Sequence, residues 1–294
     1  MSAEESRALI TGGRGQLGRE LEETVPPGWR ALGYGSAELD VTRADVVANV
    51  LGRIRPALVI NAAAYTAVDA AEAEPDQAYA VNAVGAGNVA ATCRQVGARL
   101  IQVSTDYVFD GTASRPYRPE DQPRPLGVYG RTKLAGEREV MQICGDEALI
   151  LRTAWLYSHR GRNFVLTMLR LFQEGKEVAV VQDQVGAPTW SRSLAEAIWR
   201  AAARPDVRGI HHWTDEGSTS WYDFATTIQS DALELGLLRR RVPIRPIRTD
   251  QHPTAARRPL YSVLDATATE TALRLPRRPW RVTLRHMLQD LASA

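Results

Sequence analysis

The chain reads as an α/β protein built on a doubly wound parallel sheet, and three observations predict it. Short apolar runs alternate with amphipathic helical stretches through the first half. The first apolar run passes straight into a glycine-rich turn that opens a helix. A later helix carries a tyrosine and a lysine four residues apart, so that phenol and ammonium share one face.

Arg7-Ala8-Leu9-Ile10 is a short buried strand, and Gln16 to Val25 has helical spacing with Leu17, Leu21 and Val25 on one face. Pro26-Pro27-Gly28 ends that helix, and a weak strand follows at Trp29–Leu32. Thr42 is placed to cap a helix with apolar positions Val46, Val47, Val50, Leu51 and Ile54, stopped by Pro56. Ala57–Ile60 is the next strand, and an alanine-rich helix is expected from about Pro75 to Val96. Arg99–Val103 is a strand, the tyrosine–lysine helix runs from Tyr129 to about Ile143, and Ala148–Leu151 is another strand. Beyond residue 155 the rhythm loosens. Helices are predicted at 163–173, 191–203, 221–235 and 282–291, with strands at 178–181 and 209–213. The Pro/Arg-rich stretch 239–259 reads as loop. This gives a Rossmann-type domain over 1–155, with about 185–210 returning to it. A smaller, partly interleaved substrate domain takes 156–184 and 211–294.

Composition narrows the function classes. At 294 residues and 44% hydrophobic content the chain can build a real core. A net charge of +2 argues against a nucleic-acid partner. Absence of an apolar run of membrane length argues against a membrane span. Cys93 and Cys144 show neither a C-x-x-C spacing nor a disulfide framework. With no signal peptide, they point to a reducing, cytoplasmic setting. The five histidines offer no metal spacing, and His211 and His212 cannot both face one site from a strand. No metal is expected.

The turn Gly12-Gly13-Arg14-Gly15-Gln16-Leu17-Gly18 fits two patterns, G-x-x-G-x-x-G and G-x-G-x-x-G. Between a strand and a helix it is suited to a dinucleotide: a tight turn, a backbone close to pyrophosphate, and free N–H groups at a helix N-terminus. Asp40 and Val41, after the second strand, are placed to border the adenine. Ala62, Ala63 and Ala64, after the third, are small enough for close cofactor approach. The stretch Leu32–Ser36 ends the second strand without an acid, and Arg14 is placed to meet a 2′-phosphate. The expected cofactor is therefore NADPH, with NADH possible.

Lysine occurs only at 133 and 176 among 36 basic residues. In a chain with 9 tyrosines, chance yields roughly 0.06 Y-x-x-x-K pairs. Tyr129 and Lys133 are such a pair, and Ser104-Thr105-Asp106 ends the fourth strand at the edge where parallel sheets hold ligands. A Thr105–Tyr129–Lys133 set suits hydride transfer to a ketone, with the phenol giving a proton to the developing alkoxide. The Lys133 ammonium would help a phenol of reference pKa about 10 to act near neutrality.

These motifs resemble the extended short-chain dehydrogenase/reductases and, within them, the dTDP-4-dehydrorhamnose reductase family. The resemblance covers nearly the whole chain. It rests on the glycine turn, Asn61–Asp69, Ser104–Gly111, Val128–Glu137, Arg152–Tyr157, Asn163-Phe164, Asp183–Thr189 and Arg257-Arg258-Pro259. It implies catalytic roles for Thr105, Tyr129 and Lys133, with the last two also touching the cofactor alongside Gly12, Arg14, Gly15, Gln16, Leu17 and Gly18. Thr66, Val68, Asp106 and Trp155 would line a deoxysugar pocket. Gln184, Ala187, Asn163, Arg257 and Arg258 would face the nucleotide diphosphate of a nucleotide-sugar substrate. The implied reaction is NAD(P)H-dependent reduction of a dTDP-linked 4-keto-6-deoxyhexose by a monomer or homodimer. After Thr189 the chain continues Trp190-Ser191-Arg192, where some relatives carry a glutamate that bridges a metal-linked dimer. That bridge is not carried over. Two alternatives stand beside this reading: another keto-deoxysugar, and a non-catalytic cofactor-binding subunit, which usually loses the tyrosine or the lysine. An epimerase or dehydratase would need further acid/base groups, and Asp106 is the one nearby acid that the sequence places.

Overall fold

The computed structural model describes residues 5–293. In chain order the first half comprises β1 (Ser6–Thr11), α1 (Gln16–Glu23), β2 (Trp29–Tyr34), α2 (Ala44–Ile54), β3 (Leu58–Asn61), α3 (Val68–Ala73), α4 (Pro75–Tyr79), a π-turn (Ala80–Val84), α5 (Gly85–Val96), β4 (Arg99–Thr105), α6 (Val128–Cys144) and β5 (Leu149–Thr153). Then follow β6 (Leu156–Tyr157), α7 (Phe164–Gln173), β7 (Val178–Val181), β8 (Val185–Gly186), β9 (Thr189–Trp190), α8 (Ser191–Ala202), β10 (Gly209–His212), β11 (Thr219–Ser220), α9 (Trp221–Glu234), β12 (Ile244–Ile247), α10 (Thr267–Leu273) and α11 (Trp280–Ala292).

Six strands form one parallel sheet in the order β10-β5-β4-β3-β1-β2. Its alternating side chains feed two cores. Ala8, Ile10, Leu58, Ile60, Leu149 and Leu151 pack with α1 and α8 on one face. Leu9, Val59, Leu100 and Ile150 pack with α2, α5 and Val140 of α6 on the other. A separate core joins α7, α9 and α11 through Phe172, Phe224, Ile228, Trp280 and Leu284. The strand order reverses between β1 and β3, which opens a crevice at the carboxyl edge of the sheet.

Three local expectations change. Thr42 does not cap α2: its hydroxyl and N–H both bond Asp40, and Arg43 takes the cap position. The helix expected over 75–96 is interrupted by the π-turn, where Asn82 bonds the N–H and C=O of Tyr65 and the Thr132 hydroxyl. The stretch 239–259 is not all loop, because β12 pairs with β7 through Ile244–Ile247. No periodicity marks so short a strand, and it contains Pro246, a residue that strand interiors disfavour.

Helix α6 lies unusually close to its neighbours. A Cβ on Gly136 would fall 2.0 Å from the Asn82 carbonyl oxygen, and one on Gly130 would fall 2.1 Å from that of Tyr107. Both obstacles are backbone, so neither can turn aside. Gly136→Ala is expected to lower stability by about 2 kcal/mol or more, read as a lower denaturant midpoint with unchanged slope.

Candidate active site

The glycine turn closes the crevice from below. Gly12 has φ +65°, and a Cβ there would meet the Ala62–Ala63 backbone at 2.8 Å. One on Gly13 would meet Gly33 at 2.6 Å, and one on Gly18 would meet the Gly12 carbonyl oxygen at 2.5 Å. Gly12 therefore takes the tight-turn place, Gly13 lets the turn close on the end of β2, and Gly18 lets α1 sit against the turn. Helix α1 starts at Gln16 and Leu17 after Gly15, with no side chain capping it. Its first N–H groups are left for an anion. Beneath the turn, Thr11, Asn61 and Gln102 form a buried hydrogen-bonded row across β1, β3 and β4, and Thr11 also accepts from the Ala63 N–H. This row holds Ala62–Ala64 at the mouth. The cradle fits a dinucleotide.

Around the adenosine end the structure amends the sequence reading. The stretch Leu32–Ser36 lacks an acid, but Glu38 stands two residues past it, where it accepts from the Gly35 N–H at 3.0 Å and pairs with Arg14 at 3.1 Å. The Gly35 N–H holds the Glu38 carboxyl below its usual range, assisted by Arg14. Its spacing beyond the strand end hid it. Asp40 accepts from Thr42, while Val41 is buried against Gly85 of α5.

The side chains expected to react lie around the end of β4. The Thr105 hydroxyl donates to Asp106 Oδ1 at 3.0 Å and lies close enough to the Tyr129 phenol to oppose its upward shift. Lys133, on the same face of α6, is buried and donates to the Val103 carbonyl at 2.7 Å. Burial pushes the Tyr129 phenol up to about 12 and draws the Lys133 ammonium down to about 8, with Glu137 opposing the second shift. The depressed phenol expected from the Tyr–Lys spacing is thus not a property of the protein alone. What the site holds is a protonated phenol on the helix that also carries the Lys133 ammonium, the state needed to donate a proton. Tyr107 stands edge-on to Tyr129, with ring centroids 5.6 Å apart. Glu72 of α3 accepts from the Val128 N–H at 2.7 Å and so anchors the start of α6.

On the far side of the mouth, Trp155 adopts φ +46°, a rare backbone state for a bulky residue. Its ring lies flat on Trp221, with centroids 3.5 Å apart, and against Gly186, where a Cβ would fall 2.4 Å away. Trp221 was not read from sequence as part of this wall. Thr66 is exposed in the loop after β3, and Val68 begins α3. Asp106 is buried, its Oδ2 has no partner, and burial lifts its carboxyl to about 6.

The residues expected at the nucleotide diphosphate divide. Arg258 is bound to Asp69 at 2.6 Å and to Thr254, whereas the adjacent Arg257 side chain is exposed. Gln184 is buried and donates to Thr249, and Ala187 is buried beside it in the chain. Asn163 caps α7 and also donates to Gln16 at 2.9 Å, tying that helix to the glycine turn. Among the described residues no three His, Cys, Asp or Glu side chains gather as a metal site. No described helix is long and apolar enough to cross a membrane.

The model of the RmlD substrate binding domain family matches residues 6–293. The chain belongs to this family. It is 44% identical over 283 residues to the dTDP-4-dehydrorhamnose reductase of Streptomyces griseus, covering 95% of this chain and 91% of that one. It is 38% identical over 291 residues to that of Escherichia coli K12, covering 96% and 97%. The crystal structure of the Bacillus anthracis dTDP-4-dehydrorhamnose reductase in complex with NADP superposes with a TM-score of 0.92 at 38% identity, over 97% of this chain and 99% of that one. A UDP-glucose 4-epimerase from Thermus thermophilus, at 20% identity and TM-score 0.81, shares the fold.

The buried Asp106 has a consequence for stability. Its folded-state pKa is raised, so ionising it disfavours the native state, and stability falls as pH rises from about 4 to about 6. Asp106→Asn lacks that loss. Relative to wild type, the variant should gain about 2 to 3 kcal/mol between pH 4 and pH 7 in denaturant titrations.

Proposed function

We propose that the chain reduces the C4 ketone of dTDP-4-dehydro-L-rhamnose to dTDP-L-rhamnose with NADPH. The observation that carries this is the convergence of Thr105, Tyr129 and Lys133 at the crevice of a chain that the family model matches over residues 6–293. The dinucleotide supplies the hydride when bound. Tyr129 donates its proton to the oxygen that becomes the C4 hydroxyl. Lys133 stabilises the phenolate left behind. Thr105 orients the carbonyl, which requires its hydroxyl to turn from Asp106 toward the substrate. The Trp155–Trp221 stack presents an apolar wall to the sugar's methyl group. Exposed Arg257 is the cation for the diphosphate, with Gln184 and Ala187 shaping that end, while Arg258 holds the loop by its bond to Asp69.

At the adenosine end, Arg14 binds the 2′-phosphate of NADPH, and Glu38 competes for Arg14 while offering an acceptor to the 2′-hydroxyl of NADH.

The direct experiment is loss of nicotinamide absorbance on mixing the protein, NADPH and freshly made dTDP-4-dehydro-L-rhamnose, with the product identified as dTDP-L-rhamnose. No loss despite NADPH binding would reject the assigned substrate. Tyr129→Phe is expected to lower kcat on the order of 10²–10⁴-fold with NADPH affinity retained. Unchanged turnover would reject the phenol as acid. Lys133→Arg should fail as well, because a planar guanidinium cannot occupy the ammonium's place. Glu38→Gln should raise the NADPH:NADH ratio of kcat/KM about tenfold, and Arg14→Gln should lower it by a similar factor. A ratio unmoved by both would remove the pair from cofactor choice.

A further inference from the structure

Beneath the reacting groups lies a buried charge pair that none of the steps above uses. Glu137 follows Lys133 by one turn of α6 and is buried with it. Its Oε1 accepts from the Ser104 hydroxyl at 2.5 Å and from Arg152 Nε at 2.9 Å, and its Oε2 accepts from Arg152 Nη2 at 2.7 Å. Ser104, Arg152 and His212 stand level on adjacent strands β4, β5 and β10. Arg152 is almost wholly buried, with its guanidinium over the Phe109 ring and 3.5 Å from His212 Nε2.

Consecutive residues of β4 thus receive consecutive turns of α6. Val103 takes the Lys133 ammonium, Ser104 takes the Glu137 carboxylate, and Thr105 comes next. A buried ion pair gains little net stability, because desolvating both charges offsets their attraction. Its geometric demands, however, are strict. We propose that Glu137 is a positioning residue for the reaction: it locks α6 to β4 and β5 and supplies the counter-charge that keeps Lys133 an ammonium. Its effect on turnover rests on the reductase reading; its effect on Lys133 does not.

The other groups around the pair leave this role to Glu137. Arg152 from β5 is the one cation bound to it, and His212 from β10 is held neutral by burial, with Arg152 adding to the effect. From β4 come a hydroxyl and a carbonyl, and the π-turn sets the neutral Asn82 against Gly136. Glu72 of α3 sits at the N-terminus of α6, and Glu139 is turned toward Gly87 of α5. Tyr129 and Asp106 lie at the open end with Thr105.

The chain's two lysines make the test direct. Protein labelled with [ε-13C]lysine gives one signal from Lys133 and one from exposed Lys176, an internal reference. Without cofactor or sugar, the Lys133 titration midpoint should fall by about one pH unit or more in Glu137→Gln. In Ser104→Ala, which keeps the carboxylate, it should hold. If Glu137→Gln does not fold, the Glu137→Gln/Arg152→Met variant removes both charges and should show a fall in the same direction, smaller because the Arg152 cation is lost with the carboxylate. With substrate, the alkaline limb of the kcat profile should move down with the midpoint while KM for the sugar holds. An unmoved midpoint in the charge-removing variant, or an equal fall in Ser104→Ala, would overturn the proposal. A shifted midpoint in a protein whose wild type leaves dTDP-4-dehydro-L-rhamnose unreduced would instead reject the substrate.

Discussion

The seating of α6 on the end of β4 is the constraint from which the rest of the site follows. Two glycines let the helix approach the Tyr107 and Asn82 carbonyls to distances that no side chain permits. At that range the Lys133 ammonium reaches the Val103 carbonyl and the Tyr129 phenol reaches Thr105. A helix displaced by one methyl group would break both contacts. Catalytic groups in such a site must be held within a fraction of an ångström, and backbone contacts are the stiffest means of doing so.

The electrostatics follow from the same close approach. Packing α6 onto the sheet buries Lys133, Glu137 and Arg152 together, and burial alone disfavours each isolated charge. They remain acceptable because every one has a partner in reach. The result is a phenol that keeps its proton until an alkoxide calls for it, one helical turn from a cation drawn down to about 8. That arrangement suits reduction, where the protein must give a proton rather than take one.

The second half of the chain contributes the wall and the clasp. Trp155 accepts a strained backbone to lie on Trp221, and Gly186 leaves the room it needs. Asn163 and Gln16 join α7 to the glycine turn by a hydrogen bond, so that the two halves of the chain are tied at the crevice. Two adjacent arginines divide their labour: Arg258 braces the loop on Asp69 while Arg257 is left to solvent.

Much of this was legible in the sequence because it depends on local pattern. Alternating strands and helices, the glycine turn and the Tyr129–Lys133 spacing follow from periodicity and steric need, which act over a few residues. The same locality explains the errors. Thr42 reads as a cap until Asp40 is seen to hold it, and 75–96 reads as one helix because a π-turn leaves no mark in composition. Glu38, Trp221 and the Glu137–Arg152 pair needed the tertiary structure. Each acts through a partner 15 or more residues away in the chain. Chain distance carries no information about which side chains meet across a sheet edge. The sequence by itself determined the fold class, the class of chemistry and the candidate residues for it. Which charges face each other, and so which proton each holds, was decided only when packing brought distant strands and helices into register.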